Sequence, residues 1–267
     1  MSGVEVELAE GGGILPRMNV SLFVTCLTES FYPRAGVAVV KVLERLGHRV
    51  DFPQQQTCCG QPQWNNGFVD EARVLARRMV RAFADSECVV APSGSCVAMV
   101  RHYYPELLGD DPEDGARCRR LVERTYEFSE FLVKVLRVDL ATLGARAVGR
   151  MTYHYSCHLR GLGVTDQTQQ LLRQIEGIEF VPLERSEECC GFGGTFAVKY
   201  PQVSEAMLAD KLACIRETGA DVVVVNDAGC MMNIAGGAHR AGMGVEFKHI
   251  AEVVAEGLGL LAPEPVS

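Results

Sequence analysis

The sequence predicts an α/β protein of two similar three-layer halves with parallel sheets, related by internal pseudo-twofold symmetry, and three observations carry that expectation. Cysteines repeat: Cys157, Cys189 and Cys190 each lie 131 residues after Cys26, Cys58 and Cys59, and Cys230 lies 134 after Cys96. Strand-like apolar runs alternate with helical patterns of about ten or more residues, as parallel strands joined by crossover helices require. Each repeated cysteine falls at the carboxyl end of such a run or in the loop after it, where open α/β sheets assemble their sites.

In chain order, residues 1–17 carry no pattern and read as a disordered tail. Val20 to Thr25 is strand-like, Gly36 to Leu46 helical, His48 to Phe52 extended, Phe68 to Ala84 helical and Cys88 to Ala91 extended. An acidic, turn-rich stretch from Asp110 to Gly115 leads into a helical segment from Cys118 to about Leu136. In the second half Met151 to Ser156 is extended, Thr165 to Ile175 helical and Glu179 to Leu183 extended. Pro201 to Thr218 is helical, with Pro201 suited to the first helical position and Gly219 to the stop, and Asp221 to Asn226 is extended. The halves are expected over 18–145 and 146–258, with 259–267 as a C-terminal tail.

Composition narrows the function. With 267 residues, 48% hydrophobic and 22% charged, the chain can bury a sizeable core. A formal net charge of -8 argues against nucleic acid as a partner, and Arg73, Arg77, Arg78 and Arg81, at helical spacing, read as a solvated helix face. No run approaches the roughly 18 apolar residues a membrane span needs, so no direct membrane insertion is expected. The start lacks a basic segment leading into an apolar one, which points to the cytoplasm. In that setting eleven cysteines are metal ligands or redox groups before they are disulfides.

The spacing brings four thiolates per half together from three loops: Cys26, Cys58, Cys59 and Cys96 in the first, Cys157, Cys189, Cys190 and Cys230 in the second. Four soft sulfur ligands suit iron-sulfur clusters or zinc. The absence of paired C-x-x-C knuckles favours a cluster over structural zinc, and adjacent cysteines rarely bridge each other. Gly60 and Gly191, each following a cysteine pair, would let backbone amides approach and hydrogen-bond the sulfurs, which raises a cluster's potential.

These residues resemble the lactate utilization protein A family, whose members carry two copies of the cysteine-rich CCG domain. The resemblance runs from about Met18 to Glu256 and includes Ser-Leu-Phe-Val-Thr-Cys-Leu at 21–27, Val-Asp-Phe-Pro at 50–53, Cys-Cys-Gly-Gln-Pro at 58–62, Pro-Ser-Gly-Ser-Cys at 92–96, Cys-Cys-Gly-Phe-Gly-Gly-Thr-Phe at 189–196 and His-Ile-Ala-Glu-Val at 249–253. It implies an iron-sulfur subunit that oxidises L-lactate to pyruvate together with B- and C-type lactate utilization proteins. Similar domains occur in heterodisulfide reductase B subunits and in glycolate oxidase and glycerol-3-phosphate dehydrogenase iron-sulfur subunits. The broader CCG pattern ends in C-x-x-C, whose first position is here Ser93 in one half and Asp227 in the other. The resemblance allows five thiolates to hold a non-cubane cluster, whereas four suffice for a 4Fe-4S cubane, and Ser93 or Asp227 could add an oxygen. Two 4Fe-4S clusters are the expectation.

His158, beside Cys157, reads as a ligand, a proton donor or a hydrogen-bond partner. His154 reads as a satisfied core residue or a support behind the ligands, and His102 and His249 as structural. Cys88, Cys118 and Cys214, without counterparts in the repeat, read as small buried apolar residues. Trp64 either covers the first site or fills the core. Gly191-Phe192-Gly193-Gly194 lacks the spacing and lysine of a phosphate loop, which argues against nucleotide binding. No flavin or nicotinamide signature stands out, so the hydroxy acid would be oxidised elsewhere in a complex. Rival readings are a catalytic disulfide-reducing cluster subunit, a zinc-thiolate scaffold, and dithiol–disulfide exchange at the Cys-Cys pairs.

Overall fold

The computed structural model describes residues 17–263. Of the expected tails at 1–17 and 259–267, residues 1–16 and 264–267 lie outside the described residues, and Leu260 and Leu261 pack against the core. Among the described residues, eight strands form two four-stranded parallel sheets of identical topology. The first contains β1 (Asn19–Leu22), β2 (Arg49–Asp51), β3 (Cys88–Ala91) and β4 (Thr125–Glu127), in the order β2-β1-β3-β4. The second contains β5 (Arg146–His154), β6 (Glu176–Phe180), β7 (Val222–Val225) and β8 (Glu246–His249), in the order β6-β5-β7-β8. All pairings are parallel, and helices flank both sheets. In each sheet the chain leaves the first strand to one side and returns to its other side, so a crevice opens at the carboxyl ends of β1 and β3, and of β5 and β7.

Local sequence explains the elements. β7 is four valines, all buried, as befits an inner parallel strand covered on both faces. Helix Pro33–Arg45 starts on its proline and buries Ala35, Ala38, Val39, Val42 and Leu43 along one stripe. Helix Pro201–Thr218 also starts on proline, and Gly219 ends it at φ 59°.

Sequence patterning found the outer strand β2, inside the expected His48 to Phe52, but missed β4 and β8. The segment expected to be helical from Cys118 to Leu136 is a helix over Gly115–Glu123, the strand β4, and then a helical turn that widens into a π-helical turn at Phe131–Val135. Three-residue β4 is too short to show a period of two. β6 lies at Glu176–Phe180, before the Glu179–Leu183 expected.

The halves dock reciprocally. Helix Ile250–Gly257, which follows β8, packs on helix Pro33–Arg45 of the first half, and the helical turn after β4 packs on helix Gln167–Arg173 of the second. One core therefore runs through both halves, from Val39, Val42 and Leu43 to Phe128, Phe131, Leu171, Val253 and Val254. Each such side chain contributes about 1.5–3 kcal/mol by burial. Polar ties follow the same reciprocity. The N-cap Glu127 accepts a hydrogen bond from Asn226 Nδ2 at 2.8 Å, and the N-cap His249 places Nε2 3.1 Å from the carbonyl of Pro92, the counterpart of Asn226.

Candidate metal centre

Each repeated cysteine occupies an equivalent place. Cys26 and Cys157 open short helices directly after β1 and β5. Thr25, before Cys26, is held at φ 69°, a conformation that costs a β-branched residue about 1–3 kcal/mol. The pairs Cys58-Cys59 and Cys189-Cys190 lie in the loops after β2 and β6, and the following glycines, Gly60 and Gly191, sit at φ 87° and 85°. Cys96 and Cys230 lie in the helices Gly94–Ala98 and Ala228–Arg240, capped by Ser93 and Asp227.

The four sulfurs of each half converge. Cys26 Sγ lies 3.7 Å from Cys58 Sγ, and Cys59 Sγ lies 3.5 Å from Cys96 Sγ. Hydrogen bonding between Cys58 and Cys59 joins these pairs. The second half repeats the chain from Cys157 through Cys189 and Cys190 to Cys230. Cys59, Cys96, Cys190 and Cys230 are buried; Cys26, Cys58, Cys157 and Cys189 are partly exposed. All eleven cysteines are free thiols, and Cys88, Cys118 and Cys214 are buried in the apolar cores.

Proximity controls the thiol chemistry. Cys58 is held at about 3, far below the ordinary thiol range, by hydrogen bonds from Cys26, Cys59 and the Gly60 amide. Cys189 is held at about 2 by Cys157, Cys190 and the Gly191 amide, which lies 3.4 Å from its sulfur. Cys26, Cys59, Cys157 and Cys190 are pushed up, first by hydrogen-bonding to a neighbour and then by burial and like charge. A quartet this tight carries one thiolate readily, and four only when a cation compensates them. That is the donor chemistry of a metal site.

Both quartets open on one cavity of about 310 Å³, whose wall also includes Gln61, Asn66, Phe192 and Thr195. This lies at the lower end of the size range of ligand pockets. Side chains from the two halves meet around it. Gln61 Nε2 lies 3.3 Å from His158 Nε2, and His158 Nδ1 lies 3.7 Å from Cys157 Sγ. His158 thus sits between the quartets. At the mouth, Lys199 Nζ and Thr195 Oγ1 donate to Asn66 Oδ1 at 2.8 and 2.9 Å.

Ser93 and Asp227 meet each other. Ser93 Oγ donates to Asp227 Oδ2 at 3.3 Å, the same oxygen accepts the Ser95 amide at 2.8 Å, and each side chain also caps its own helix. Neither the link nor its partners could be read from the sequence, because the two positions lie 134 residues apart and belong to different halves. Trp64 stacks on Tyr103 with ring centroids 5.2 Å apart, which places it in the first outer core rather than over the site. Arg77 and Arg81 pair with Asp111 and Asp114 at 2.6 and 2.7 Å, so the basic helix face is tied to the acidic turn rather than simply solvated.

His154 departs from expectation. It is buried as the strand pattern implies, but it is not satisfied: neither ring nitrogen has a hydrogen-bond partner among the described residues. Its ring and the sulfurs of Cys190 and Cys230 bring donor atoms within 4.8 Å of one another. Applying the 131-residue offset to His154 leads to Phe23, and that mismatch was the available signal.

With this geometry established, comparison with known proteins places the chain. A family model described as a cysteine-rich domain (CCG) matches residues 20–101 and 151–235. Over 238 residues, 89% of this chain, it is 49% identical to lactate utilization protein A of Bacillus licheniformis, covering 99% of that protein. Identity is 50% with the Geobacillus kaustophilus protein of that name and 48% with that of Bacillus subtilis, covering 98% and 99% of each. The chain belongs to the lactate utilization protein A family. For this family member, the two matched CCG segments each contain the four cysteines of one quartet.

Proposed function

We propose that the protein is an iron-sulfur electron-transfer component of L-lactate oxidation, with one 4Fe-4S cluster in each of two cysteine-rich domains, 18–145 and 146–258. The observation that carries this reading is the convergence of two sulfur quartets on one cavity of about 310 Å³, which offers room that a single zinc ion in a closed thiolate site does not need. The residues present fit such a group: the Gly60 and Gly191 amides reach the sulfurs, and unpartnered His154 stands beside the second quartet. Cap and cross-half bonds engage the oxygens of Ser93 and Asp227, which supports four thiolates per cluster rather than a fifth ligand.

Bound there, each cluster would supply a one-electron redox couple. Buried Cys59, Cys96, Cys190 and Cys230 exclude water from the inner side, while partly exposed Cys26, Cys58, Cys157 and Cys189 form the edge where electrons enter or leave. Gln61 and His158 hold the sites in register across the interface. Conversion of lactate to pyruvate releases two electrons and two protons. The relatives' name supports lactate as the source, and the family resemblance of the sequence implies B- and C-type lactate utilization proteins as the partners that carry out the oxidation. Eleven free thiols suit the reducing cytoplasm.

The test is anaerobic purification, iron and acid-labile sulfide analysis, and electron paramagnetic resonance of the dithionite-reduced protein. About eight irons per chain, the content of two 4Fe-4S clusters, falling to about half in Cys59→Ser and in Cys190→Ser, is the expected result. Zinc or no metal would overturn the reading.

A further inference from the structure

Beneath the two quartets the halves are not equivalent. Ser21, Phe23 and Thr25 fall at alternate positions in the run that begins with β1; at the 131-residue offset their counterparts are Thr152, His154 and Ser156. In the first half the polar members are satisfied. Ser21 Oγ donates to Asp51 Oδ1 at 2.8 Å and is 2.7 Å from Ser86 Oγ, and Thr25 Oγ1 donates to Thr28 Oγ1 at 2.9 Å. Phe23 between them packs edge-on against Phe83 at 5.9 Å. In the second half Thr152 Oγ1, both ring nitrogens of His154 and Ser156 Oγ are all buried without partners among the described residues. A buried polar group left unsatisfied costs about 1–3 kcal/mol, and three neighbouring residues bearing that cost point to something they serve.

Of the three, His154 faces sulfur. His154 has the quartet's innermost thiols, Cys190 and Cys230, within 4.8 Å, and the first quartet has only the phenyl ring of Phe23 at the equivalent place. We propose that His154, beside Cys190 and Cys230, would donate a hydrogen bond to the sulfur of a cluster held at the second site, and make that site the higher in potential of the two. The proposal rests on the cluster reading above. His154 supplies the required donor, because an imidazole keeps at least one N–H in either protonation state. An N–H aimed at cluster sulfur stabilises the more negative, reduced state. The first site has amide donors of its own but no side-chain counterpart at this place. An electron on the protein therefore rests at the second site, and His154 is a positioning residue for that charge.

The experiment is a redox titration followed by electron paramagnetic resonance on the intact, anaerobically purified protein, with iron and sulfide measured on each sample. Wild type, His154→Phe, His154→Gln and Phe23→His are compared, and the signal missing from Cys190→Ser identifies the second site. In His154→Phe we expect full iron, an unmoved first signal, and a second site whose reduced-to-oxidised ratio at the wild-type midpoint falls about tenfold, a shift of about 59 mV. His154→Gln, which keeps a donor, recovers most of that shift, and Phe23→His raises the first site. An unchanged second potential at full iron overturns the proposal. So does loss of half the iron in both His154 variants, which would make the imidazole a ligand. No iron in wild type overturns the cluster reading itself, and this inference with it.

Discussion

The two glycines after the cysteine pairs permit a quantitative test of how the sites are built. Gly60 and Gly191 share a left-handed conformation, φ 87° and 85°, that an L-residue adopts at a cost of about 1–2 kcal/mol. Their surroundings differ. A Cβ on Gly60 would meet the carbonyl oxygen of Ala72 at 3.4 Å, an ordinary contact, whereas a Cβ on Gly191 would lie 2.7 Å from the carbonyl oxygen of Ser204 and 3.2 Å from Met207 Cβ. The first obstruction is helix backbone and cannot rotate away. Relieving it also disturbs the hydrogen bond from Ser204 Oγ to the Gly191 carbonyl, 2.8 Å long. Overpacking of this kind adds about 1–3 kcal/mol. Gly60→Ala should therefore cost about 1–2 kcal/mol and Gly191→Ala about 2–5. At roughly 2 °C per kcal/mol for a chain of this size, the thermal midpoint falls by a few degrees in the first variant and by up to about 10 °C in the second. Circular dichroism under anaerobic conditions reads the midpoints, and iron analysis should show the second site losing its metal in Gly191→Ala while Gly60→Ala retains both. Equal losses, or a larger loss in Gly60→Ala, would refute the assignment of these glycines to different constraints.

Three further outcomes follow from the same geometry. Asp227→Ala removes the acceptor of Ser93 and Ser95 and a helix cap, and should cost about 1–3 kcal/mol in thermal unfolding while keeping the wild-type iron content; a folded variant that loses half its iron would make Asp227 a ligand. Leu43→Ala, in the core shared by both halves, should cost about 2–5 kcal/mol and lower iron retention at both sites on heating, and an effect confined to the first site would show that the halves unfold separately. His249 is pushed down to about 4 by burial, and its Nδ1 must stay unprotonated to accept the Ala251 amide. The unfolded chain binds this proton from about pH 6.5 downward and the folded chain only near 4, so stability is present above 6.5 and lost as pH falls between those values, by at most about 3 kcal/mol. The fall in thermal midpoint over that window should be shallower in His249→Asn than in wild type, and parallel slopes would remove His249 from the account.

The inner strands and the quartets were legible because they obey strong local rules. Four consecutive valines in β7, prolines opening two helices and a fixed cysteine offset each leave a mark within a short window. β4 and β8 left none: they are short outer strands whose identity comes from pairing with β3 and β7 rather than from their own alternation. The link between Ser93 and Asp227 was invisible for a different reason, since it depends on how one half is set against the other. His154 lay between these cases. Its burial followed from strand position, but its lack of partners required knowing what stood on every side of it.

Reciprocal docking explains why a duplicated chain should hold two sites in one cavity. The helix after the first cysteine of each half packs on the helix carrying the last cysteine of the other: Cys157–Gly161 on Gly94–Ala98, and Cys26–Phe31 on Ala228–Arg240. Every quartet is thus braced by an element of its neighbour, and neither half can be removed without exposing the other's sulfurs. Duplication alone would leave two equal sites, between which an electron has no preferred direction. On the proposed reading, the exchange of Phe23 for His154 at matching positions, beside those of Leu27 for His158 and Ser93 for Asp227, is the one that breaks that equality, and it leaves both cysteine quartets unchanged. A fold that keeps its ligands symmetric can in this way set direction with one side chain placed behind them.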